Sequence, residues 1–280
     1  MSVKIIVDST TDLVDETKEK VIINPITIRF GNTEYIDGVD INNREFYEKL
    51  IESDVLPATS QATPDSFEQI FNKVKENGDE AVVITISSNL SGTFQSATIA
   101  SEDYKDCVYV VDSGSVTIGA GILTEYAIKL VEEGKSAKEI YNELMIAREN
   151  VYIVALLDTL EYLKKGGRIS STAAIAGSLL SIKPVINVVD GVINTLGKAR
   201  GSKQGNNLLV KEIESAGGVN FDMPVLLGYT GLSDMLLKKY IEDSVYLWQD
   251  SINNLKTTAI GCSIGVHAGP GAVAVAFFKN

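Results

Sequence analysis

The chain has 280 residues and a mass of 30.2 kDa, enough for one large or two moderate domains with an ample core. Its composition, 45% hydrophobic and 22% charged, is that of a folded soluble protein and excludes a disordered or fibrous chain. The net charge is -12 and the pI is near 4.7, so the protein as a whole repels phosphate backbones and anionic surfaces. Nucleic acid is therefore not an expected partner.

The first residues predict a strand and not a targeting signal, because the apolar run after Met1 is too short for a signal-peptide core. No run of about 18 apolar residues follows, so no transmembrane segment is expected. Cys107 and Cys262 lie in apolar stretches without CxxC spacing, which favours buried thiols over a disulfide framework or a zinc site. These features predict a cytoplasmic protein, for which transient contact with a membrane surface stays open.

The first half of the chain alternates short β-rich runs with longer amphipathic runs, as in βαβ units around a mainly parallel sheet. Thr63 followed by Pro64 is a typical helix start, because the hydroxyl can cap and proline suits the first helical position. The predicted strands are Val3 to Val7, Ala81 to Ile86, Val108 to Val111 and Tyr152 to Leu157. The predicted helices are Arg44 to Ile51, Asp65 to Lys75, Ser115 to Glu133 and Ala137 to Glu149.

The pattern changes after Asn150, where apolar runs are joined by short turns. Asp190-Gly191 between two such runs predicts a β-hairpin and hence antiparallel pairing. We therefore expect an N-terminal α/β domain at 1–150 and a second α/β domain with antiparallel strands at 151–280. Its predicted strands are Pro184 to Val189, Val192 to Leu196, Pro224 to Tyr229, Thr257 to Cys262 and Ala272 to Phe278, and the apolar stretch 173–180 is predicted to be core.

Three predicted strands end in an aspartate followed by a hydroxyl residue, at Asp8, Asp112 and Asp158. Such side chains can satisfy the free amides of the next helix, or they can line a ligand site at the carboxyl edge of the sheet. Asp8 and Asp12 together could also hold a divalent cation, although no further carboxylate lies nearby in the sequence. All three interpretations stay open at this point.

Two polar loops, 57–64 and 86–97, carry the richest concentration of hydroxyl and amide groups. The second follows a buried strand and leads into a helix, so Ser91 and Gly92 would lie where hydroxyls and free amides converge on a carboxylate or phosphate. The loop lacks a P-loop, a Gly-x-Gly-x-x-Gly pattern and a Gly-x-Ser-x-Gly elbow, which disfavours nucleotide binding and a hydrolase of that type. Structural turn chemistry alone is the alternative.

His267 is the single histidine, and the surrounding glycines predict a loop. A single histidine excludes a multi-histidine metal site. His267 could donate a hydrogen bond to an anion, act as the partner of a nucleophilic serine, or lie in a solvent-facing turn. Basic residues cluster at Lys164, Lys165 and Arg168, and a second basic segment contains Arg200. They predict either a solvated helix end or a positive face for a phosphate or an acidic partner.

The segments DSTTDL, TSQATP, SSNLSGTFQSA, LDTLEYLKKGGRIS, Lys183-Pro184, GKAR and IGVHAGPGAVAVAFF occur in an order that resembles the DegV family of fatty-acid-binding proteins, which includes the FakB subunits of bacterial fatty-acid kinase. The resemblance runs from Asp8 to the C-terminus. This sequence departs from the family pattern at Ala62, Phe94 and Ala268, of which Ala268 bears on how His267 is held.

The resemblance implies a two-domain α/β carrier that encloses one long-chain fatty acid, such as palmitate, stearate or oleate, and presents its carboxylate to a separate kinase subunit. It implies no catalytic residue, no metal and no cofactor in this chain. The residues that it places at the carboxylate are Thr59, Ser91 and His267, with Ser60, Gly92 and Thr93 as loop neighbours. We expect Arg168, Arg200, Lys164 and Lys165 to contribute to the kinase-docking face.

Two other functions stay open. One is a hydrolase or phosphotransfer enzyme that uses Ser91 and His267 as nucleophile and base on an acyl or phosphorylated substrate. The other is a scaffold domain without a ligand.

Overall fold

The computed structural model describes residues 2–169 and 182–280. Its strands are β1 (Val3–Asp8), β2 (Val21–Asn24), β3 (Thr27–Phe30), β4 (Thr33–Ile36), β5 (Ala58–Thr59), β6 (Glu80–Thr85), β7 (Val108–Asp112), β8 (Val151–Leu156), β9 (Ile182–Val189), β10 (Val192–Arg200), β11 (Leu226–Tyr229), β12 (Lys256–Ala259) and β13 (Val273–Phe278). Its α-helices are α1 (Asp15–Lys18), α2 (Asn43–Glu52), α3 (Pro64–Glu76), α4 (Thr93–Ala100), α5 (Ile118–Glu132), α6 (Ala137–Ala147), α7 (Glu161–Lys165), α8 (Gly201–Ser215), α9 (Met235–Asp243), α10 (Val245–Trp248) and α11 (Cys262–Ala268).

Strands β2, β1, β6 and β7 form a parallel sheet in that order, as the alternation of elements predicted. Both faces of this sheet are covered. Ile6 packs with Phe67 of α3 on one face, whereas Val7 packs with Ile122 of α5 and Ile140 of α6 on the other. Because the strands are parallel, the loops that follow β1, β6 and β7 meet at one edge of the sheet.

A six-stranded sheet begins at Val151 and has the order β10-β9-β8-β13-β11-β12. Four of its five pairings are antiparallel, which confirms the predicted antiparallel component. The β9–β10 hairpin turns at Asp190-Gly191, and both residues have positive φ, 52° and 72°. Helix α5 packs against both large sheets, while α8 covers the outer face of the second one. The boundary at residue 150 stays a prediction.

A third sheet, β4-β3-β5, is small and was not predicted. With α2 and α11 it encloses a separate apolar cluster that contains Ile28, Phe46 and Val266. Helix α11 corrects the prediction of a glycine-rich loop around His267, which lies in the last turn of this helix. Gly265 is needed inside the helix, because a Cβ atom there would come within 2.6 Å of Phe46 Cε1.

Some predicted bounds were wrong. Helix α5 begins at Ile118 and not at Ser115, because Thr117 has a φ of 50° and cannot continue a helix backward. Strand β12 ends at Ala259, since α11 begins three residues later. The predicted core stretch 173–180 lies outside the described residues. Over the part of the chain that the structure describes, no helix combines the length and apolar character needed to cross a bilayer.

Candidate functional site

A cavity of about 270 Å³ lies where the carboxyl edge of the parallel sheet faces the six-stranded sheet. Its walls are mostly apolar and come from loops after β6 and β7, from α11 and from the six-stranded sheet. The apolar lining consists of Ile26, Ile86, Leu90, Val116, Ile153, Ala155, Leu157, Leu163, Ile186, Val188, Ile193, Ile260, Ile264, Ala268, Ala272 and Ala274. Such a space suits a hydrocarbon chain, because the transfer of apolar atoms from water into an apolar cavity lowers the free energy.

Small side chains on two adjacent strands make room for this cavity. Ala274 of β13 pairs with Ala155 of β8, and both line the cavity together with Ala272. Ala274 is 2% exposed, so solvent reaches almost none of its surface. The predicted strand Ala272 to Phe278 therefore contributes a wall of the cavity in addition to ordinary core.

The polar residues predicted from the two loops gather at one end of the same cavity. Thr59, Ser60, Ser91, Gly92 and His267 all line it. Ser60 is exposed and Thr59 and Ser91 are half-buried, so this end communicates with solvent. The structure thus brings the predicted carboxylate-binding residues together.

The two polar loops are joined directly. Gln61 Nε2 donates to Ser96 Oγ at 3.0 Å, and the Ala62 amide donates to Thr93 Oγ1 at 3.3 Å. A Cβ atom on Gly92 would overlap the end of the Gln61 side chain, so Gln61 would have to move if another residue stood there. Thr93 is fully buried and pairs with Ser91 Oγ at 3.0 Å, which makes it a support for Ser91.

His267 contacts Thr59, with 3.0 Å between His267 Nε2 and Thr59 Oγ1. Burial, and then the positive charge of Arg168, lower the pKa of His267 to about 4. The imidazole is therefore neutral at neutral pH. Its Nδ1 is buried and has no hydrogen-bond partner among residues 2–169 and 182–280, so a proton there would be an unsatisfied donor beside a cation. The proton accordingly belongs on Nε2, which donates to Thr59 and leaves the threonine hydroxyl proton free for a ligand.

Arg168 lines the cavity and is half-buried, and its predicted contribution to the docking face stays a prediction. Its Nε donates to the Leu90 carbonyl at 3.1 Å and its guanidinium donates to the Gly166 carbonyl at 2.7 Å. It therefore ties α7 to the loop that carries Ser91 and brings positive charge to the polar end. Lys164, Lys165 and Arg200 are exposed. Their role in docking stays a prediction.

Sequence reasoning missed three further hydroxyls that line the cavity, on Thr10, Thr117 and Ser263. Each donates to a buried carboxyl group: Thr10 to Asp8 at 2.5 Å, Thr117 to Asp12 at 2.5 Å, and Ser263 to Asp37. Burial raises the pKa of all three carboxyls, that of Asp12 to about 7. The three carboxyl groups thus fix the positions of Thr10, Thr117 and Ser263 in the cavity wall through these hydrogen bonds.

These contacts also bear on the cation that Asp8 and Asp12 were considered to hold. Asp8 accepts hydrogen bonds from the Thr10 and Ile86 amides, and Asp12 accepts one from the Gly261 amide. Within residues 2–169 and 182–280, no three or more metal-ligating side chains are grouped. Asp8 and Asp12 therefore join loops of the protein.

Comparison with known proteins places this chain and its fold in a family. The sequence model described as "Uncharacterised protein, DegV family" matches residues 2–280. The DegV domain-containing protein CPE1310 of Clostridium perfringens is 34% identical over 99% of both chains.

Solved structures resemble the fold over the whole chain. A fatty-acid-binding DegV family protein from Thermus thermophilus has a TM-score of 0.88 and 28% identity, with both chains fully covered. A stearic-acid-binding protein from Eubacterium ventriosum has a TM-score of 0.83 and 28% identity, over 100% of this chain and 98% of that one. Together with the matched sequence model, these similarities confirm the predicted family and α/β architecture. The chain belongs to the DegV family.

Proposed function

We propose that this protein binds one long-chain fatty acid, with the acyl tail in the cavity and the carboxylate at the end formed by Thr59 and Ser91. The observation that carries the proposal is a single cavity whose walls are mostly apolar and whose lining includes the partly exposed hydroxyl residues Thr59, Ser60 and Ser91. Relatives of the same family and fold that bind fatty acids support it.

The apolar walls account for affinity. Burial of about fifteen methylenes at roughly 0.8 kcal/mol each gives on the order of 12 kcal/mol before the costs of association. Those costs are about 4–15 kcal/mol, so a contribution of this size is needed to offset them. The tail therefore supplies most of the binding free energy.

The polar end accounts for orientation. A buried carboxylate must be hydrogen-bonded, and the hydroxyls of Thr59 and Ser91 are suitable neutral donors. His267 acts through Thr59, whose hydroxyl proton it leaves free by donating from Nε2. Arg168 also lines the cavity and adds positive charge there, and two of its five N–H donors contact the Leu90 and Gly166 carbonyls. In a chain with net charge -12 this local charge favours an anion.

We further propose that the bound carboxylate is presented to a separate kinase subunit, which phosphorylates it. Neutral donors in place of a bidentate arginine leave a carboxylate oxygen free for phosphoryl transfer. The exposed Lys164, Lys165 and Arg200 are the candidate docking residues, with Arg168 behind them in the cavity wall. Charge reversal at Arg200 should lower acyl-phosphate formation with added kinase and leave fatty-acid affinity unchanged. Unchanged coupling to the kinase would contradict the docking role.

The hydrolase alternative needs a base beside the Ser91 hydroxyl. Among the described contacts, His267 Nε2 pairs with Thr59, and Ser91 Oγ pairs with Thr93. A histidine with a pKa of about 4 is also a weak base at neutral pH. These contacts favour the carrier over the enzyme.

Titration of delipidated protein with oleate and with methyl oleate tests the carrier proposal. Thr59→Val and Ser91→Ala should each weaken oleate binding by about tenfold or more, because a hydrogen bond to a charged group contributes about 1.5–3 kcal/mol. Methyl oleate has no charged head group and should be affected far less. Ser88→Ala is the matched control, since Ser88 is an exposed serine in the same loop. Equal losses for both ligands would contradict the head-group assignment.

A further inference from the structure

The tip of the β9–β10 hairpin is fastened to the loop that carries Ser91. Ser87 Oγ donates to the Gly191 carbonyl at 2.8 Å, and Asn89 Nδ2 donates to the Asp190 carbonyl at 2.9 Å. We call these two hydrogen bonds the hairpin clasp. They connect residues about a hundred positions apart in the sequence, from the loop after β6 of the parallel sheet and from the turn between β9 and β10 of the six-stranded sheet.

The hairpin tip is shaped for this contact. Gly191 has a φ of 72°, which disfavours any residue with a side chain. A Cβ atom on Gly191 would also overlap Ser87 Oγ and would come within 3.2 Å of Asn89 Nδ2. Ser87 itself is fully buried. Backbone conformation and space therefore both require glycine where the two elements meet.

Ser87 is also the base of the turn that presents Ser91. The amides of Leu90 and Ser91 both donate to the Ser87 carbonyl, at 3.0 and 3.1 Å. The Ser87 amide donates in turn to the Ser115 carbonyl at 2.8 Å. A displacement of Ser87 or Asn89 would therefore move Ser91 at the polar end of the cavity.

The hairpin is a firm support for this turn because its strands belong to the six-stranded sheet. Strand β9 pairs with β8 from Ile153 to Leu156 and with β10 along its whole length. Ile186 and Val188 of β9 and Ile193 of β10 line the apolar cavity. The hairpin thus contacts the space for the tail with its inner face and the Ser91 turn with its tip.

We propose that Ser87 and Asn89 are positioning residues for Ser91, which hold its hydroxyl in place for the carboxylate by fastening the turn to the hairpin tip. This proposal rests on the proposed function. It assigns no ligand contact to either residue. Its physical basis is that a donor held on a rigid support loses less conformational freedom when it binds.

A double-mutant cycle tests the proposal with oleate and methyl oleate as ligands. Asn89→Ala removes one bond of the clasp at an exposed position, so the variant is expected to fold. Alone it should weaken oleate binding about fivefold and methyl oleate binding less than twofold. Ser91→Ala should cost about tenfold in the wild-type background but less than threefold in the Asn89→Ala background, because an unfastened Ser91 contributes little.

Ser87→Ala is the second variant and should give the same coupling, while Ser88→Ala should give none. Equal costs of Ser91→Ala in all backgrounds would overturn the clasp and leave the proposed function standing. If Ser91→Ala has no effect even in the wild-type background, both the clasp and the head-group assignment fail.

Discussion

Replacement of Ala274 by leucine should block part of the cavity that we propose for the acyl tail and leave Thr59 and Ser91 unchanged. Ala274 lies on β13, is 2% exposed and faces the cavity beside Ala155. Leucine adds three carbon atoms to a wall of a space of about 270 Å³. Those atoms occupy volume that the fatty-acid tail would otherwise fill.

The loss follows from the methylenes displaced. About three methylenes at roughly 0.8 kcal/mol each amount to roughly 2.4 kcal/mol, or about fiftyfold in Kd. Fluorescence displacement with oleate and methyl oleate measures it. Both ligands should lose affinity equally, because the change concerns the tail and not the head group.

Ala276→Leu is the matched control on the same strand. Ala276 is fully buried in the core and does not line the cavity, so leucine there should cost about 1–3 kcal/mol of stability through overpacking. Its affinity for oleate should stay within threefold of the wild type. An Ala274→Leu variant that binds oleate within threefold of the wild type would refute the assignment of this cavity to the tail.

Three further substitutions test other parts of the structure. Because the pKa of Asp12 is raised from 3.8 to about 7, the free energy of unfolding should fall by at most about 4 kcal/mol between pH 4 and 7. Urea denaturation measures this dependence on pH, and Asp12→Asn should make it flatter. A dependence on pH that Asp12→Asn leaves unchanged would contradict the raised pKa of Asp12. Gly166→Ala should push His267 aside, because a Cβ atom there would overlap His267 Nδ1. Oleate binding should weaken about fivefold while the melting temperature changes little. A general packing defect would instead lower the melting temperature. Gly205→Ala, whose Cβ would lie 2.6 Å from Leu156 Cδ1, should lower stability by about 1–3 kcal/mol, and an unchanged melting temperature would contradict this packing.

The parallel sheet was predictable because β1 and β6 are buried on both faces and therefore appear as continuous apolar runs. The small sheet was not. Strand β4 is largely exposed and β5 has only two residues, so neither gives a period-two pattern. This omission matters for the site, because β5 is the element that carries Thr59.

Helix α11 was missed for another reason. Gly261, Gly265 and Gly269 lie within nine residues, and so many glycines indicate a loop by propensity. Gly261 and Gly265 are instead explained by close packing. A Cβ on Gly261 would come within 2.9 Å of Asp12 Oδ1, and one on Gly265 would press on Phe46. Tertiary contacts therefore override local propensity at the helix that places His267.

The candidate site was predictable in part. Hydroxyls at Thr59 and Ser91 lie in polar loops at strand ends, and the family resemblance indicates which of them matter. The pairing of Thr117 with Asp12, or of Ser87 with Gly191, joins residues more than a hundred positions apart. No local pattern predicts such pairs, because they depend on how the two large sheets pack.

The most direct test of the account is to identify what the purified protein carries. Denaturation, extraction with organic solvent and mass spectrometry should release about one long-chain fatty acid per chain. Protein that releases no lipid, and that after purification also fails to bind added palmitate, stearate or oleate, would contradict the account.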